Sequence, residues 1–251
     1  LSTYTLHHGD ALEIMRAMPD ASVDMVFADP PYGHKNNDDG DLIRRWEVAL
    51  GKGPLREGRP IASDGVEAND LVRAFFGELP RLLRKGGVVC CCCGGGGPDP
   101  QFARWSLWLA EVLNFKQMII WDKGKIGMGW HYRRSYETVL VAHKGAKCNW
   151  FSTAKNIENI LRPGDYGAKK IIPRAHQHPT EKPWQLAAHF IGLHCPPGGN
   201  VLDPFMGSGS TGEAALRLGR EFIGVEMDAG VYAGAERRLA TIPTDMFEGK
   251  S

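Results

Sequence analysis

Short apolar runs alternate with segments of helical periodicity along most of the chain, which is the layout of an α/β sheet. Val23-Asp-Met-Val-Phe-Ala28 reads as a strand that ends at Asp29-Pro-Pro-Tyr32, because two prolines cannot continue a central ladder. Asp70 to Leu83 spaces Leu71, Phe75, Leu79 and Leu82 along one helical face and stops at Gly86-Gly87. Gly87-Val-Val and the four consecutive cysteines Cys90 to Cys93 read as a buried strand of small apolar side chains. Neighbouring strand residues point to opposite faces, so these thiols cannot converge on one metal. A second helix covers Phe102 to Leu113, with Trp105, Leu109 and Val112 on one side, and strands follow at Lys116–Trp121 and Tyr136–Ala142. Gly33 to Asn69 and Lys144 to His178 resist regular assignment. A long polar loop directly after Asp-Pro-Pro-Tyr fits a lid or substrate loop.

Composition adds bounds. A chain of 251 residues with 43% hydrophobic and 24% charged residues fits one large domain, here residues 1–251. No apolar run approaches the roughly 18 residues of a membrane span, and the first twenty residues lack the layout of a signal peptide, so a cytoplasmic location and no membrane partner are expected. The net charge of +1 does not announce a nucleic-acid binder. Its distribution is uneven: Lys116 to Arg174 holds twelve Lys/Arg against four Asp/Glu, and Leu1 to Leu50 four against nine. A basic middle segment suits a face that holds a polyanion, and is equally the pattern of an unevenly charged solvated surface.

Two motifs carry chemistry. Gly199-Asn-Val-Leu-Asp-Pro-Phe-Met-Gly-Ser-Gly-Ser-Thr-Gly212 is a strand, a glycine loop and the start of a helix spanning Glu213 to Leu218. A second strand, Phe222 to Glu226, ends on a carboxylate. This is a nucleotide half-site: Gly207 and Gly209 admit close backbone approach, the helix start offers free N–H groups, and Glu226 can accept from two ribose hydroxyls. The same glycines also fit an NAD fingerprint. Asp29-Pro30-Pro31-Tyr32 sets a carboxylate, a proline carbonyl and an aromatic ring on a stiff backbone. That set suits an exocyclic amino group, which needs two acceptors for its hydrogens and a flat surface for its ring.

Together the two motifs resemble the amino-methyltransferases, with Asp29-Pro-Pro-Tyr32 as the catalytic motif and Phe205-Met-Gly-Ser-Gly209 as the cofactor loop. The catalytic motif comes first, which resembles the circularly permuted β class of DNA amino-methyltransferases. The resemblance implies a mostly parallel seven-stranded sheet with helices on both faces and the last strand reversed. It implies S-adenosylmethionine as cofactor and DNA as partner, with a homodimer and a cognate restriction endonuclease as further partners to look for. Residue by residue, it carries catalysis to Asp29, Pro30, Pro31 and Tyr32. The cofactor would be held by Asp10, Ala28, His178, Thr180, Lys182, Asp203, Phe205, Gly207, Ser208, Gly209, Thr211 and Glu226. His178-Pro-Thr-Glu-Lys-Pro183 resembles the segment that approaches the cofactor's methionine end, and His8-Gly-Asp10 an acidic motif near its adenine. Asp10 with Glu13 is equally a helix-capping box. Trp130, Arg133 and Arg134 suit a DNA-facing surface, or a hairpin with buried aromatics. No metal is expected, because the histidines near His189 and His194 lack carboxylate or thiolate spacing.

The chain is thus divided into a catalytic half at 1–115 with a target loop at 33–69, a basic recognition region at 116–177 and a cofactor half at 178–251. The implied reaction methylates adenine N6 in DNA after the nucleotide is swung out of the helix, with Tyr32 stacking on the extruded base. N4-cytosine methylation by the same machinery is the nearest alternative, and Asp rather than Ser at position 29 tilts toward adenine. A non-catalytic nucleic-acid-binding subunit and an NAD-dependent oxidoreductase are the rivals of other classes.

Overall fold

The computed structural model describes residues 3–32, 67–94, 100–124, 132–165 and 181–242. In chain order these form β1 (Tyr4–His8), α1 (Ala11–Ala17), β2 (Val23–Ala28), α2 (Ala68–Leu82), β3 (Leu83–Gly94), α3 (Gln101–Val112) and β4 (Asn114–Asp122). There follow β5 (Tyr136–His143), β6 (Ile160–Leu161), α4 (Trp184–His194), β7 (Asn200–Asp203), α5 (Ser210–Arg217), β8 (Glu221–Glu226) and α6 (Ala229–Ala240). The strands join one sheet in the order β1-β8-β7-β2-β3-β5-β4-β6. All neighbours run parallel except β5, which is antiparallel to both β3 and β4.

Three differences from the expected fold are local. An eighth, two-residue strand, Ile160–Leu161, pairs with β4 inside a stretch expected to be irregular. The reversed strand is the fifth in the chain rather than the last, because a hairpin from β4 inserts it between β3 and β4. The glycines at 86 and 87 do not separate α2 from β3: the strand begins at Leu83, directly after the helix. Its pairing with β2 shifts between Val23 and Met25, and Gly86 takes φ +83° in that irregularity.

The central strands are apolar on both faces, as parallel strands between two helical layers must be. Every residue of β2 is buried. The cysteines divide by parity, Cys90 and Cys92 in one core layer and Cys91 and Cys93 in the other, and burial raises all four thiols above their usual pKa. α2 turns Val72, Phe75, Phe76, Leu79 and Leu82 inward, while Leu71 stays half-buried, so the apolar stripe is broader than the predicted spacing.

Asp24 pins β7 beside β2. Its carboxylate accepts from the backbone N of Asn200 at 2.8 Å and from Arg84, while Asn200 Nδ2 donates to the Ser22 carbonyl at 2.9 Å. The pairing Met25↔Val201 and Val26↔Leu202 therefore delivers Asp29 and the loop after Asp203 to the same carboxyl edge, although they lie far apart in sequence. In open α/β sheets this edge is where ligands bind.

Candidate active site

Asp29 follows directly on β2, and both of its oxygens are engaged. Oδ1 accepts from the Tyr32 hydroxyl at 2.7 Å, and Oδ2 lies 2.7 Å from Lys182 Nζ. A carboxylate has about four acceptor positions, so capacity for a further donor remains. Gln101 at the start of α3 donates to the Tyr32 carbonyl, and the Tyr32 ring meets Trp105 edge-on at 6.1 Å. Trp105 is in turn held by a 2.9 Å bond from Nε1 to Asn69. Burial first, then the Asp29 and Glu137 charges, raise the Tyr32 phenol well above its usual value and keep it a donor.

Lys182 precedes α4 by two residues, and its side chain is 11% exposed. Burial works against its charge, but Asp29 and Glu137 outweigh that and hold the ammonium protonated. Glu137 reaches the site because β5 runs backwards. The first residues of that strand, not its last, lie at the carboxyl edge, with Glu137 beside Gly94 of β3 and Trp121 of β4. Its Oε1 accepts from Lys123 at 2.8 Å, and its buried Oε2 sits 3.1 Å from Lys182 outside hydrogen-bond geometry. Burial opposes ionisation of Glu137, yet the two lysines hold its pKa down at about 2.

The glycine loop runs from β7 into α5. Gly207 and Gly209 have φ of +49° and +78°, the left-handed region, and a side chain at Gly209 would press on Ala235. Asp203 accepts from the Phe205 backbone N at 3.0 Å and from the Thr211 hydroxyl, but burial dominates and raises its pKa to about 7. Phe205 packs edge-on against Phe75 at 5.4 Å. Among the described residues, no side chain caps the N-terminus of α5. Glu226, closing β8, takes the Gly207 N–H on Oε2 at 3.1 Å and the Asp228 N–H on Oε1 at 2.8 Å. Burial raises its pKa, and these N–H groups oppose the rise.

Beneath the loop, Arg238 of α6 donates to Glu213, to Glu181, and to both the carbonyl and hydroxyl of Ser208. Asp10 caps α1 through a 2.9 Å bond from Glu13 N, which is the capping reading of that pair. It nonetheless stands two residues past His8, the register partner of Glu226, and so at the same edge. Ala28 is fully buried at the end of β2.

The structure thus gathers Asp29, Pro30, Pro31, Tyr32, Lys182 and the loop from Asp203 to Thr211 with Glu226 along one edge. Lys182, expected at the cofactor's methionine end, has its ammonium on the Asp29 carboxylate. His178, Thr180 and Trp130 lie outside the described residues. Arg133 is exposed and Arg134 half-buried beside the fully exposed Tyr132, on the connection that leaves β4 at the carboxyl edge. Glu137, Lys123 and Arg238 were not among the expected site residues. The signals available for them were the spacing Arg134-x-x-Glu137 and a charged side chain on the inner face of the last helix.

Comparison with known proteins agrees with this geometry. The model of a family described as DNA methylase matches residues 23–237. The DNA adenine methyltransferase YhdJ of Escherichia coli K12 is 30% identical, covering 94% of this chain and 82% of its own. The M1.HpyAVI–SAM complex superposes with a TM-score of 0.64 at 24% identity, over 94% of this chain and all of that one. The cytosine-N4-specific PvuII DNA methyltransferase gives 0.64 at 19% identity, over 94% and 86% of the two chains. The eight-stranded order with one reversed strand is therefore the fold of methyltransferases, and the chain belongs to the N6/N4 family of DNA amino-methyltransferases.

Proposed function

We propose that the protein methylates the N6 amino group of adenine in DNA, with S-adenosylmethionine as donor and Asp29 as the residue that orients the acceptor. The observation that carries this is a carboxylate held on two sides, by Tyr32 and Lys182, next to the glycine loop at one sheet edge. The first position of the motif is Asp, and the relative that shares 30% identity is an adenine enzyme.

The residues present fit the cofactor. Glu226 offers a carboxylate whose position is set by two backbone N–H groups, suited to ribose hydroxyls. Gly207 and Gly209 carry no side chain to obstruct the loop, and the uncapped start of α5 can receive a carboxylate. When bound, S-adenosylmethionine supplies an electrophilic methyl group on a sulfonium.

The chain's own work is positioning and local electrostatics. The N6 lone pair is delocalised into the purine and is a poor nucleophile. Hydrogen bonds from its two hydrogens to Asp29 and the Pro30 carbonyl would draw them out of the ring plane and favour a tetrahedral nitrogen. Tyr32 would stack on the extruded ring while its hydroxyl keeps Asp29 in place. A duplex base must first be unstacked at a cost of a few kcal/mol.

The test is to express the gene in a host free of DNA methylation and read base modifications by sequencing. N6-methyladenine in a fixed context is expected. N4-methylcytosine would replace adenine as the acceptor while leaving the machinery in place, and unmodified DNA would overturn the catalytic reading.

A further inference from the structure

We propose that Glu137 is a positioning residue for methyl transfer, acting through Lys182 to set how much of the cation's charge falls on the Asp29 carboxylate. This rests on the catalytic reading of Asp29 given above.

Four charged groups meet here: Asp29, Glu137, Lys182 and Lys123. Lys182 Nζ stands between two carboxylates, 2.7 Å from Asp29 Oδ2 and 3.1 Å from Glu137 Oε2. Lys123 closes the far side of Glu137 at 2.8 Å. The side chains of Lys182 and Glu137 are 11% and 18% exposed, so water screens these charges weakly. The formal sum is zero, and each carboxylate holds a fraction of the shared cation.

That sharing matters for Asp29. A carboxylate fully neutralised by an ammonium is a weaker acceptor for an amino group, and one with no cation beside it favours its protonated form, which accepts poorly. Glu137 draws Lys182 partly away from Asp29 and so keeps the acceptor between these limits. A residue serving only to hold β5 in place would need neither a buried oxygen without a hydrogen bond nor its aim at the cation that, among the described residues, touches Asp29.

The test compares single-turnover methyl transfer, at saturating cofactor and DNA, in E137Q, K182M and the double variant, with D29A alongside. E137Q should lose about tenfold in rate, a charge effect on transition-state stabilisation. Its cofactor and DNA dissociation constants and its melting temperature should stay close to those of the parent. K182M leaves two half-buried carboxylates with one cation and should lose more. In the double variant the formal charge returns to zero, so the rate should rise above that of K182M. That rescue is the decisive reading where the rate recovers with no matching recovery in melting temperature, because removing both members of a buried ion pair also relieves purely structural damage. A double variant as slow as the product of the two singles, or an E137Q loss that only tracks the folded fraction, would overturn the role of Glu137. An active D29A would instead remove the catalytic reading beneath it.

Discussion

Arg238 and Glu181 form a 3.0 Å ion pair, and their side chains are only 4% and 10% exposed. Glu181 is the neighbour of Lys182, which contacts Asp29, while Arg238 also grips Ser208 of the glycine loop. Arg238 on α6 thereby links the glycine loop to the segment whose lysine contacts Asp29. Within the sheet, the N-terminal strands and the strands around the glycine loop are joined through the pairings of β2 with β7 and of β1 with β8.

Replacing Arg238 by Met should consequently do two things. It leaves Glu213 and Glu181 buried without their main cation, a situation that typically costs about 3 to 5 kcal/mol. It also releases Ser208, so cofactor affinity should fall in the protein that remains folded. Urea denaturation followed by calorimetric titration below the transition separates the two effects. A variant of unchanged stability would show that Glu213 is satisfied by Arg217 alone, which lies 2.8 Å away.

Glu226 calls for a milder substitution than alanine. Its oxygens hold the N–H groups of Gly207 and Asp228, so Glu226→Ala disrupts the loop as well as any ligand contact. Glu226→Gln keeps an oxygen acceptor and removes the charge. We expect the glutamine variant to bind S-adenosylmethionine about tenfold more weakly, near the lower end for a hydrogen bond to a charged group. The alanine variant should lose more. Equal calorimetric affinity in all three proteins would reduce Glu226 to a scaffold for the loop.

How much of this was legible in the sequence depends on where the information sits. The strands ending at Asp29 and Glu226 were readable because a Pro-Pro stop, a glycine loop and a run of apolar residues are local signals. The fold class followed from the resemblance that the two motifs and their order carry. The Asp29–Lys182 contact was not readable, because it depends on which residue of a proline-flanked segment turns toward a strand 153 positions away. Glu137 was hidden for a topological reason. Only when β5 is seen to run backwards does the start of that strand, rather than its end, fall at the carboxyl edge. Arg238 was hidden because a helical arginine reads as solvent-facing until the carboxylates beneath it are placed.

The pH dependence of stability should carry the mark of Asp203. Burial raises its pKa to about 7 in the folded protein, against about 4 for an unfolded aspartate. Below about pH 4 both forms hold the proton and the group is silent. Between about 4 and 7 the unfolded chain loses the proton while the folded one keeps it, so stability falls as pH rises, and the deficit is complete above about 7. Glu137 has the opposite sign: its folded pKa of about 2 adds stability above the usual glutamate range that fades as pH falls toward 2. Asp203→Asn keeps an acceptor for the Phe205 N–H and cannot ionise. Relative to the parent, its stability should rise progressively between about pH 4 and pH 7 in denaturant titrations. A constant difference across that range would mean that Asp203 ionises at its ordinary pH.

DNA contact is the last expectation, and the structure sharpens it. The connection between β4 and β5 leaves the sheet at the carboxyl edge, the same edge as Asp29, and its end presents a fully exposed Tyr132 next to an exposed Arg133. On the proposed function, duplex DNA brought to Asp29 for base extrusion would lie along this same edge. Arg134 is half-buried, so its reach to a phosphate is shorter than that of Arg133. Each phosphate contact releases about one counterion and adds about one unit to the slope of log affinity against log salt. Arg133→Ala should therefore lower the slope by about one unit on any sequence, and the Arg133→Ala/Arg134→Ala pair by up to about two, with cofactor binding intact. Fluorescence-anisotropy titrations of duplex DNA over a range of salt give the slopes directly. A double variant with the parent slope would place these arginines in contacts within the protein, and the phosphate-binding face would have to be sought among residues 33–69.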